Sequence, residues 1–213
     1  ASLDVRNDEQ RTPLMLAAAR GNTDAVRVLI KGGAQLDLVD KHGDTALMSA
    51  AAHDHIETVQ CLVDAKASVS LRNTTDRTVL DIAMSKQHHR VALVLAAVCD
   101  EQGNNALCLA AQTGDIGVLE RLMNIEAPVD VRNASQQTPV MFAALKGHSM
   151  VVYRLLRALA QVDLVDNDGS TALMHAAQQG HLDIAKCLID ANASLDIQNK
   201  QEQTALDLAL ANA

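Results

Sequence analysis

The sequence predicts an all-α solenoid of stacked helix–turn–helix units, and two observations support this fold class. A Thr-Pro/Ala-Leu phrase recurs every 33 residues along the chain of 213 residues. Aromatic side chains make up only 1 % of the residues, whereas alanine and leucine are abundant, so thin and closely packed helices must form the core. A fixed period of this length is typical of repeat proteins, in which each unit packs against its neighbours only.

Residues 40–72 show how one unit is built. Asp40 to Asp44 have the composition of a turn, with Gly43 suited to a positive φ. Thr45 then caps a first helix whose apolar residues fall on one face. A short break at residues 53–55 precedes a second helix, which carries Ile56, Val59, Leu62 and Val63. Both helices are too short to be stable alone, so packing between units must stabilise them.

The phrase marks seven registers, which begin at Thr12, Thr45, Thr78, Asn105, Thr138, Thr171 and Thr204. The step from Thr78 to Asn105 is 27 residues, six fewer than the others, so one repeat is shortened near residues 96–104. The extended exit that ends the other units is missing there, and we expect the following hairpin to be incomplete. Leu93 and Ala97 replace charged residues of other units, and we expect a changed packing angle to cover them rather than leave an apolar patch.

The chain resembles the ankyrin repeat family. The resemblance rests on Thr12-Pro13-Leu14 with Ala17-Ala18 and its counterparts in the other registers, and on exits such as residues 33–37 and 192–196. It implies a curved solenoid with short β-hairpin fingers, which forms a single domain over residues 1–213. The predicted repeats are 7–39, 40–72, 73–99 (short), 100–132, 133–165, 166–198 and a partial 199–213, and residues 1–6 are the exit of a preceding repeat.

Two departures from the family pattern bear on packing. The family's histidine after Thr-Pro-Leu is replaced mostly by apolar residues, so apolar packing must take over its role; the replacements are Met15, Met48, Cys108, Met141 and Met174, with Asp81 and Asp207 in the other two units. The glycine that ends the second helix survives only as Gly33. If the left-handed turn is kept, four other residues bear its strain, namely Lys66, Glu126, Leu159 and Asn192.

The chain also repeats itself over a longer distance. A shift of 126 residues places Thr45-Ala46-Leu47-Met48 on Thr171-Ala172-Leu173-Met174, and Cys61-Leu62-Val63-Asp64-Ala65 on Cys187-Leu188-Ile189-Asp190-Ala191. The larger unit is therefore a duplicated block of four repeats. Because both ends interrupt this block, we expect the sequence to be a segment of a longer array.

Composition narrows the class of partner and the compartment. The formal charge of −8 and the pI near 5.4 argue against binding to nucleic acid, because that affinity depends largely on Lys and Arg. No apolar stretch is long enough for a membrane span, and no signal peptide is recognisable. The four cysteines lack the spacing of a metal site, so we expect small buried side chains in a reducing, cytoplasmic compartment.

No motif predicts an enzyme or a cofactor. His53 and His55, together with His88 and His89, allow a metal-site hypothesis, but the equivalent positions of His55, His88, His148 and His181 favour a structural role. Asp81 and Asp207 are expected to bond local backbone. Glycine-rich phosphate loops, nucleophile elbows and zinc-protease motifs are absent from the sequence.

The resemblance implies that a protein or peptide binds the concave face, which finger tips and the ends of first helices form. Basic residues make the stretch across the second and third units locally basic and predict an acidic or extended ligand. The candidates are Arg11, Arg20, Lys41, His42, His53, Arg72, Arg77 and Lys86. The outer-face pair Met150 and Tyr153 is a second candidate. Two alternatives stay open, a substrate-recruiting arm of a larger enzyme or effector and weak self-association.

Overall fold

The computed structural model describes residues 3–211. Within them there are thirteen α-helices and no β-strand, which confirms the all-α class. The helices belong to two compact units, of which unit 1 ends at Val98 and unit 2 begins at Cys99. This boundary falls in the shortened repeat that the sequence predicts. A single domain over the whole chain stays a prediction.

Unit 1 contains three helix pairs. They are α1 (Pro13–Ala19) with α2 (Thr23–Lys31), α3 (Ala46–Ala52) with α4 (Ile56–Asp64), and α5 (Val79–Ser85) with α6 (His89–Ala96). The first helices α1, α3 and α5 pack side by side in one layer, and the second helices α2, α4 and α6 pack in another. The core lies between these layers and includes Leu14, Leu47 and Leu62, all fully buried.

Unit 2 contains three complete helix pairs and one further first helix. They are α7 (Ala106–Thr113) with α8 (Ile116–Asn124), α9 (Pro139–Lys146) with α10 (Ser149–Arg157), α11 (Ala172–Gln178) with α12 (Leu182–Asp190), and α13 (Ala205–Ala211). The layering is the same as in unit 1, since α7, α9, α11 and α13 pack in series and α8, α10 and α12 form the second layer.

The recurring Thr or Asn begins each first helix by capping it, as predicted. The side chain of Thr45 accepts a hydrogen bond from the Met48 N–H at 3.2 Å, and Asn105 accepts one from the Cys108 N–H at 3.0 Å. These bonds satisfy backbone donors that a helix N-terminus otherwise leaves unpaired. Because the first helices have only seven or eight residues, their stability comes from packing between repeats.

Apolar packing replaces the family's histidine, as predicted. Met15, Met48, Cys108, Met141 and Met174 are each 1 % exposed. The thioethers of Met15 and Met141 also accept weak hydrogen bonds from the N–H groups of Thr12 and Thr138, at 3.5 and 3.4 Å. Methionine therefore fills the core and partly closes the helix cap.

The left-handed turn after the second helices is kept, which confirms the predicted strain at non-glycine residues. Lys66, Glu126, Leu159 and Asn192 have φ values of 70°, 58°, 63° and 62°, and the surviving glycine, Gly33, has 86°. Each of these residues donates its backbone N–H to a carbonyl near the end of the helix, as Leu159 does to Leu156 at 3.0 Å. The hydrogen bonds that this turn donates to carbonyl groups at the helix end offset the strain of the left-handed backbone.

The predicted β-hairpins at the fingers are wrong in detail, since the described residues form turns and no strand. In the first finger the Asn7 N–H donates to the Arg11 carbonyl and the Gln10 N–H donates to the Asn7 carbonyl, at 3.1 and 2.8 Å. The expectation of an incomplete finger after the short repeat is also wrong. Asp100 and Asn104 close the same turn at 2.9 Å, because the six missing residues precede the turn.

Two expectations about burial need correction. In the shortened repeat Leu93 is half-buried but Ala97 is exposed, so the helix end is not covered as predicted. Among the four cysteines only Cys108 is buried, whereas Cys61 and Cys187 are half-buried and Cys99 is exposed. Cys61 and Cys187 lie on second helices near the surface, and Cys99 follows the end of α6, where the backbone turns into a finger.

Candidate functional site

An Asn or Asp side chain at the base of each finger holds the finger tip in place. The Oδ1 atom of Asp40, for example, accepts the N–H groups of His42 and Asp44 at 2.8 and 3.1 Å. The same pair of bonds recurs in all seven described fingers, at Asn7, Asp40, Asn73, Asp100, Asn133, Asp166 and Asn199. These bonds thus give every tip the same backbone turn, which positions the side chains that the tip carries.

Neighbouring fingers within a unit are joined through their backbones. In unit 1 the Lys41 N–H donates to the Glu9 carbonyl at 3.2 Å, and the Thr74 N–H donates to the His42 carbonyl at 3.0 Å. Unit 2 repeats the bond between Asn167 and Ser135, at 2.9 Å. The fingers of a unit therefore form one row rather than independent loops.

All eight predicted binding residues belong to unit 1 and occupy two rows. Five lie on the fingers, namely Arg11, Lys41, His42, Arg72 and Arg77. The other three, Arg20, His53 and Lys86, are the C-cap residues of α1, α3 and α5. Because these helices pack side by side, the three C-caps follow one another along the edge of the unit. Cations are favourable at helix C-termini, so the row has a structural reason as well.

Three of the finger cations are neutralised by nearby carboxylates. Arg11 Nε lies 3.3 Å from Oδ2 of the buried Asp40, and Lys41 Nζ lies 2.6 Å from Oε2 of Glu9. Arg72 donates to the Asp76 carbonyl at 2.7 Å and lies 3.4 Å from its carboxylate. These three contacts link or stiffen the fingers, which lowers the charge that each side chain offers to a ligand.

The contact between Lys41 and Glu9 also affects the ionisation of the carboxyl group. The hydrogen bond from Lys41 holds the pKa of Glu9 below its ordinary value, against a smaller opposing effect of burial. Glu9 therefore stays ionised to lower pH than a free glutamate. It cancels the charge of Lys41 at the tip of the second finger.

Three other predicted cations have no carboxylate partner among the described residues. Within residues 3–211 no carboxylate lies within 4.0 Å of the side chains of Arg20, Arg77 and Lys86, all of which are exposed. Arg77 Nε donates only to the neutral hydroxyl of Thr75, at 3.0 Å. His53 contacts the Ser49 carbonyl at 2.8 Å, and its ring stacks on His55 with centroids 6.0 Å apart.

Charge is distributed unevenly between the units. Residues 1–98 contain eleven Lys and Arg against twelve Asp and Glu, whereas residues 99–213 contain seven against fourteen. The formal charges are thus −1 and −7. The acidic character of the chain comes almost wholly from unit 2, whereas the unit that carries the candidate surface is close to neutral in total.

The histidines at the start of the second helices have a structural role, as the sequence favours. His55 contacts the Ala19 carbonyl at 3.1 Å, His88 contacts that of Ala51 at 2.9 Å, and His148 contacts that of Gln112 at 3.1 Å. Each ring thereby bonds the end of the first helix in the preceding repeat. The described residues contain no group of three or more His, Cys, Asp or Glu side chains arranged to hold a metal ion.

Asp81 and Asp207 bond local backbone, as predicted. Oδ2 of Asp81 accepts the Thr78 N–H at 3.0 Å, and Oδ2 of Asp207 accepts the Thr204 N–H at 2.8 Å. The bonds from Thr204 hold the pKa of Asp207 below its ordinary value. Both carboxylates thus complete reciprocal helix caps.

The second candidate surface is exposed. Met150 and Tyr153 are 53 % and 44 % exposed, and the guanidinium of Arg157 lies 6.0 Å from the Tyr153 ring. A shallow groove continues from Tyr153 to Cys187 and Asp190 on α12. Nothing in the geometry indicates a particular occupant of this groove.

Two features of the fingers were not predicted from the sequence. His175 Nε2 lies 2.9 Å from Oδ2 of Asp166, and both side chains are largely buried, so this pair ties α11 to the base of its finger. The finger bases also alternate strictly between Asn and Asp, and a positive-φ glycine accompanies each Asp, at Gly43, Gly103 and Gly169. The alternation is readable in the sequence once the seven finger bases are aligned.

The repeats, their caps and their fingers define a helical repeat protein. A family model described as "Ankyrin repeats (3 copies)" matches residues 1–73, 40–100, 83–164 and 140–213. Because these matches cover the chain, it belongs to the ankyrin repeat family. Ankyrin repeats are generally protein–protein interaction modules and generally not catalytic.

Solved structures support the same assignment. The human ASB11 ankyrin repeat domain is 27 % identical, with a TM-score of 0.53, and the match covers 93 % of this chain and 92 % of that one. The ankyrin repeat domain of Bcl-3, described as a unique member of the IkappaB protein family, is 25 % identical, with a TM-score of 0.58 and 95 % coverage of both chains. A search of curated proteins found no match. Among residues 3–211 no helix has the length and apolarity that crossing a membrane requires.

Proposed function

We propose that the chain holds an extended, acidic segment of a partner protein on unit 1, without chemistry of its own. The observation that carries this proposal is the set of exposed cations that lack a carboxylate partner, Arg20, Arg77 and Lys86. They mark two adjoining rows, the helix C-caps and the finger tips. We call these three residues the basic face.

The spacing of the basic face favours an extended ligand. Helices that pack side by side have axes about 8–10 Å apart. An extended chain advances about 3.3–3.6 Å per residue, so every third side chain meets the next repeat. Carboxylates at positions i and i+6 of a peptide would thus match Arg20 and Lys86, the C-caps of the first and third repeats, with position i+3 opposite His53 of the second.

The composition of the first-helix row also supports binding rather than catalysis. The residues next to the C-caps are small, Ala19 before Arg20 and Ala52 before His53, which leaves the edge of the layer accessible. The fingers are held by their own backbone bonds, so little conformational entropy is lost when a ligand orders against them. We also propose that the protein resides in a reducing, cytoplasmic compartment, as the cysteine spacing predicts.

The test uses the intact chain and a fluorescein-labelled ten-residue peptide with glutamates at positions 1, 4, 7 and 10 and with serine and glycine elsewhere. We expect saturable binding that weakens with salt. The variants Arg77→Glu and Arg20→Glu/Lys86→Glu should lower the affinity at least about tenfold, which corresponds to about 1.4 kcal/mol.

Unit 2 offers matched controls for these charge reversals. Lys146 occupies the register of Arg20 and Lys86, and Gln137 occupies that of Arg77. The variants Lys146→Glu and Gln137→Glu should leave the affinity unchanged. Equal loss in test and control variants would show a non-specific charge effect, and unchanged binding by the unit 1 variants would refute the proposal. Light scattering of the same samples tests the alternative of self-association. Under that alternative, dimers are expected at micromolar concentration.

A further inference from the structure

The tip of the third finger contains an exposed threonine beside one of the cations of the basic face. Thr75 lies between Asn73, at the finger base, and Arg77. Its hydroxyl donates to Asn73 Oδ1 at 2.8 Å and accepts from Arg77 Nε at 3.0 Å. Any group attached to this oxygen would therefore sit within reach of the Arg77 guanidinium.

The neighbouring threonine is placed differently. The hydroxyl of Thr74 donates to the His42 carbonyl at 2.8 Å, and the Thr74 N–H donates to the same carbonyl. Thr74 is thus tied to the backbone of the second finger. Thr75 has bonds only within its own finger, so its hydroxyl becomes available when that finger tip opens locally.

The sequence around Thr75 has the features of a phosphate acceptor. Arg72 stands three residues before Thr75, an arrangement that basic-directed Ser/Thr protein kinases select, and residues 74–77 are all exposed. The charged groups nearest in the finger are Arg72, Asp76 and Arg77. Arg72 is already directed toward Asp76, which leaves Arg77 to meet a new anion.

The equivalent position of the first finger shows what a negative charge does there. Glu9 occupies the register of Thr75, again three residues after an arginine, Arg6. Its carboxylate pairs with Lys41 at 2.6 Å and thereby removes that cation from the exposed charge of the finger row. A charged group at this position is therefore compatible with the finger turn and neutralises a neighbouring cation.

We propose that Thr75 is a phosphorylation site, and that its phosphate captures Arg77 and switches off the basic face. The γ-phosphoryl group of a nucleoside triphosphate forms a bond to Oγ1 of Thr75, while its bond to the β,γ-bridging oxygen breaks and the nucleoside diphosphate leaves. The hydroxyl proton passes to the catalytic carboxylate of the kinase. The phosphate carries about −1.5 to −2 charges at neutral pH. The switching part rests on the proposed function, whereas the acceptor site does not.

The first experiment tests the acceptor. The intact chain is incubated with Mg-ATP and a panel of Ser/Thr kinases that select arginine at the third position before the acceptor, and the sites are mapped by mass spectrometry. We expect phosphate on Thr75 and a rate at least about tenfold lower for Arg72→Ala, with Thr75→Val unlabelled at this site. Absence of phosphate from Thr75 with every kinase, or an equal rate for Arg72→Ala, would overturn the proposal.

The second experiment tests the capture of Arg77 without any partner. Phosphoserine is incorporated at position 75 through an expanded genetic code, and the Arg77 Nε–H resonance is followed by ¹⁵N NMR as the phosphate titrates near pH 6. The control is phosphoserine at position 135, where Gln137 replaces the arginine. We expect Arg77 to shift with phosphate ionisation, and an unmoved Arg77 resonance would overturn the proposal.

The acidic peptide then separates this proposal from the proposed function. If the peptide binds the unmodified chain, phosphoserine at position 75 should lower its affinity at least about tenfold, and unchanged affinity would overturn the switch. If the peptide binds neither form, the proposed function fails, while the kinase and NMR results still decide the acceptor site and the capture of Arg77.

Discussion

Arg11 and Asp40 form an ion pair that joins the first two fingers, with Arg11 Nε 3.3 Å from Asp40 Oδ2. The side chain of Asp40 is only 3 % exposed, while that of Arg11 is 43 % exposed. The other oxygen of Asp40 accepts two backbone N–H groups of its own finger. Asp40 therefore acts both within its turn and between turns.

We expect Asp40→Ala to lower the free energy of unfolding by about 2–3 kcal/mol, because two backbone donors lose their acceptor. Asp40→Asn should lower it by less than about 1 kcal/mol, since Asn keeps the Oδ1 acceptor and occupies the same position at Asn7 and Asn73. Urea unfolding measures both values. Equal loss in the two variants would show that the bond to Arg11, rather than the finger turn, dominates.

A comparison of Gly21 with Gly180 distinguishes the steric cost of an added Cβ from the cost of a left-handed backbone. Both have positive φ, 67° and 70°, but a Cβ at Gly21 would lie 2.6 Å from the His55 ring, whereas nothing lies within 4 Å at Gly180. Gly180→Ala should cost about 1–2 kcal/mol for the left-handed backbone alone. Gly21→Ala should cost more, because the ring must leave the Ala19 carbonyl.

The difference between these two glycines can be checked by a double-mutant cycle. In a His55→Ala background the extra cost of Gly21→Ala should disappear, while the cost of Gly180→Ala should not change. Thermal unfolding of the wild type, Gly21→Ala, His55→Ala and the double variant measures this coupling, and Gly180→Ala with and without His55→Ala is the control. A coupling near zero between Gly21 and His55 would contradict the steric account.

Leu159 offers a route to higher stability. It has a φ of 63° and is 86 % exposed, so its side chain contributes little packing while its backbone is strained. We expect Leu159→Gly to raise the free energy of unfolding by about 0.5–1 kcal/mol. Asn192→Gly should give a smaller gain, since asparagine tolerates the left-handed region. Denaturant midpoints compare the two, and a loss of stability in Leu159→Gly would refute the strain argument.

Cys108 should be unreactive in the folded protein. Burial raises the pKa of its thiol from 9.0 to about 11, so the thiolate is scarce at neutral pH. We expect iodoacetamide to label the exposed Cys99 first and Cys108 only after unfolding. Peptide mapping after timed labelling measures this order, and early labelling of Cys108 would contradict its burial.

Because its pKa is raised, the Cys108 thiol should make the free energy of unfolding depend on pH. A folded pKa above the unfolded value means that the contribution is present below about pH 9 and is lost as pH rises from 9 toward 11. Cys108→Ala should therefore lose less stability than the wild type over this range. Urea unfolding at pH 8 and pH 10.5 compares the two chains, and parallel losses would exclude the thiol as the cause.

Much of the fold is predictable from the sequence because it depends on local chemistry. Thr45 caps its helix and Gly43 permits its turn wherever the repeat occurs, and the strain at Leu159 follows from its register alone. The period of 33 residues also predicts the stacking of the repeats, since it aligns equivalent residues in adjacent repeats. The deletion of six residues before Asn105 is also readable in the sequence, although the finger that follows it is complete in the structure.

Which of the candidate cations pair with a carboxylate was not predictable from local sequence. Arg11 and Asp40 are separated by 29 residues, and Lys41 and Glu9 by 32, so only the packing of adjacent fingers brings them together. The sequence predicts eight binding residues on one surface, while among the described residues Arg20, Arg77 and Lys86 have no carboxylate within 4.0 Å. Helix caps and turns arise within a few residues, whereas charge neutralisation depends on contacts between repeats.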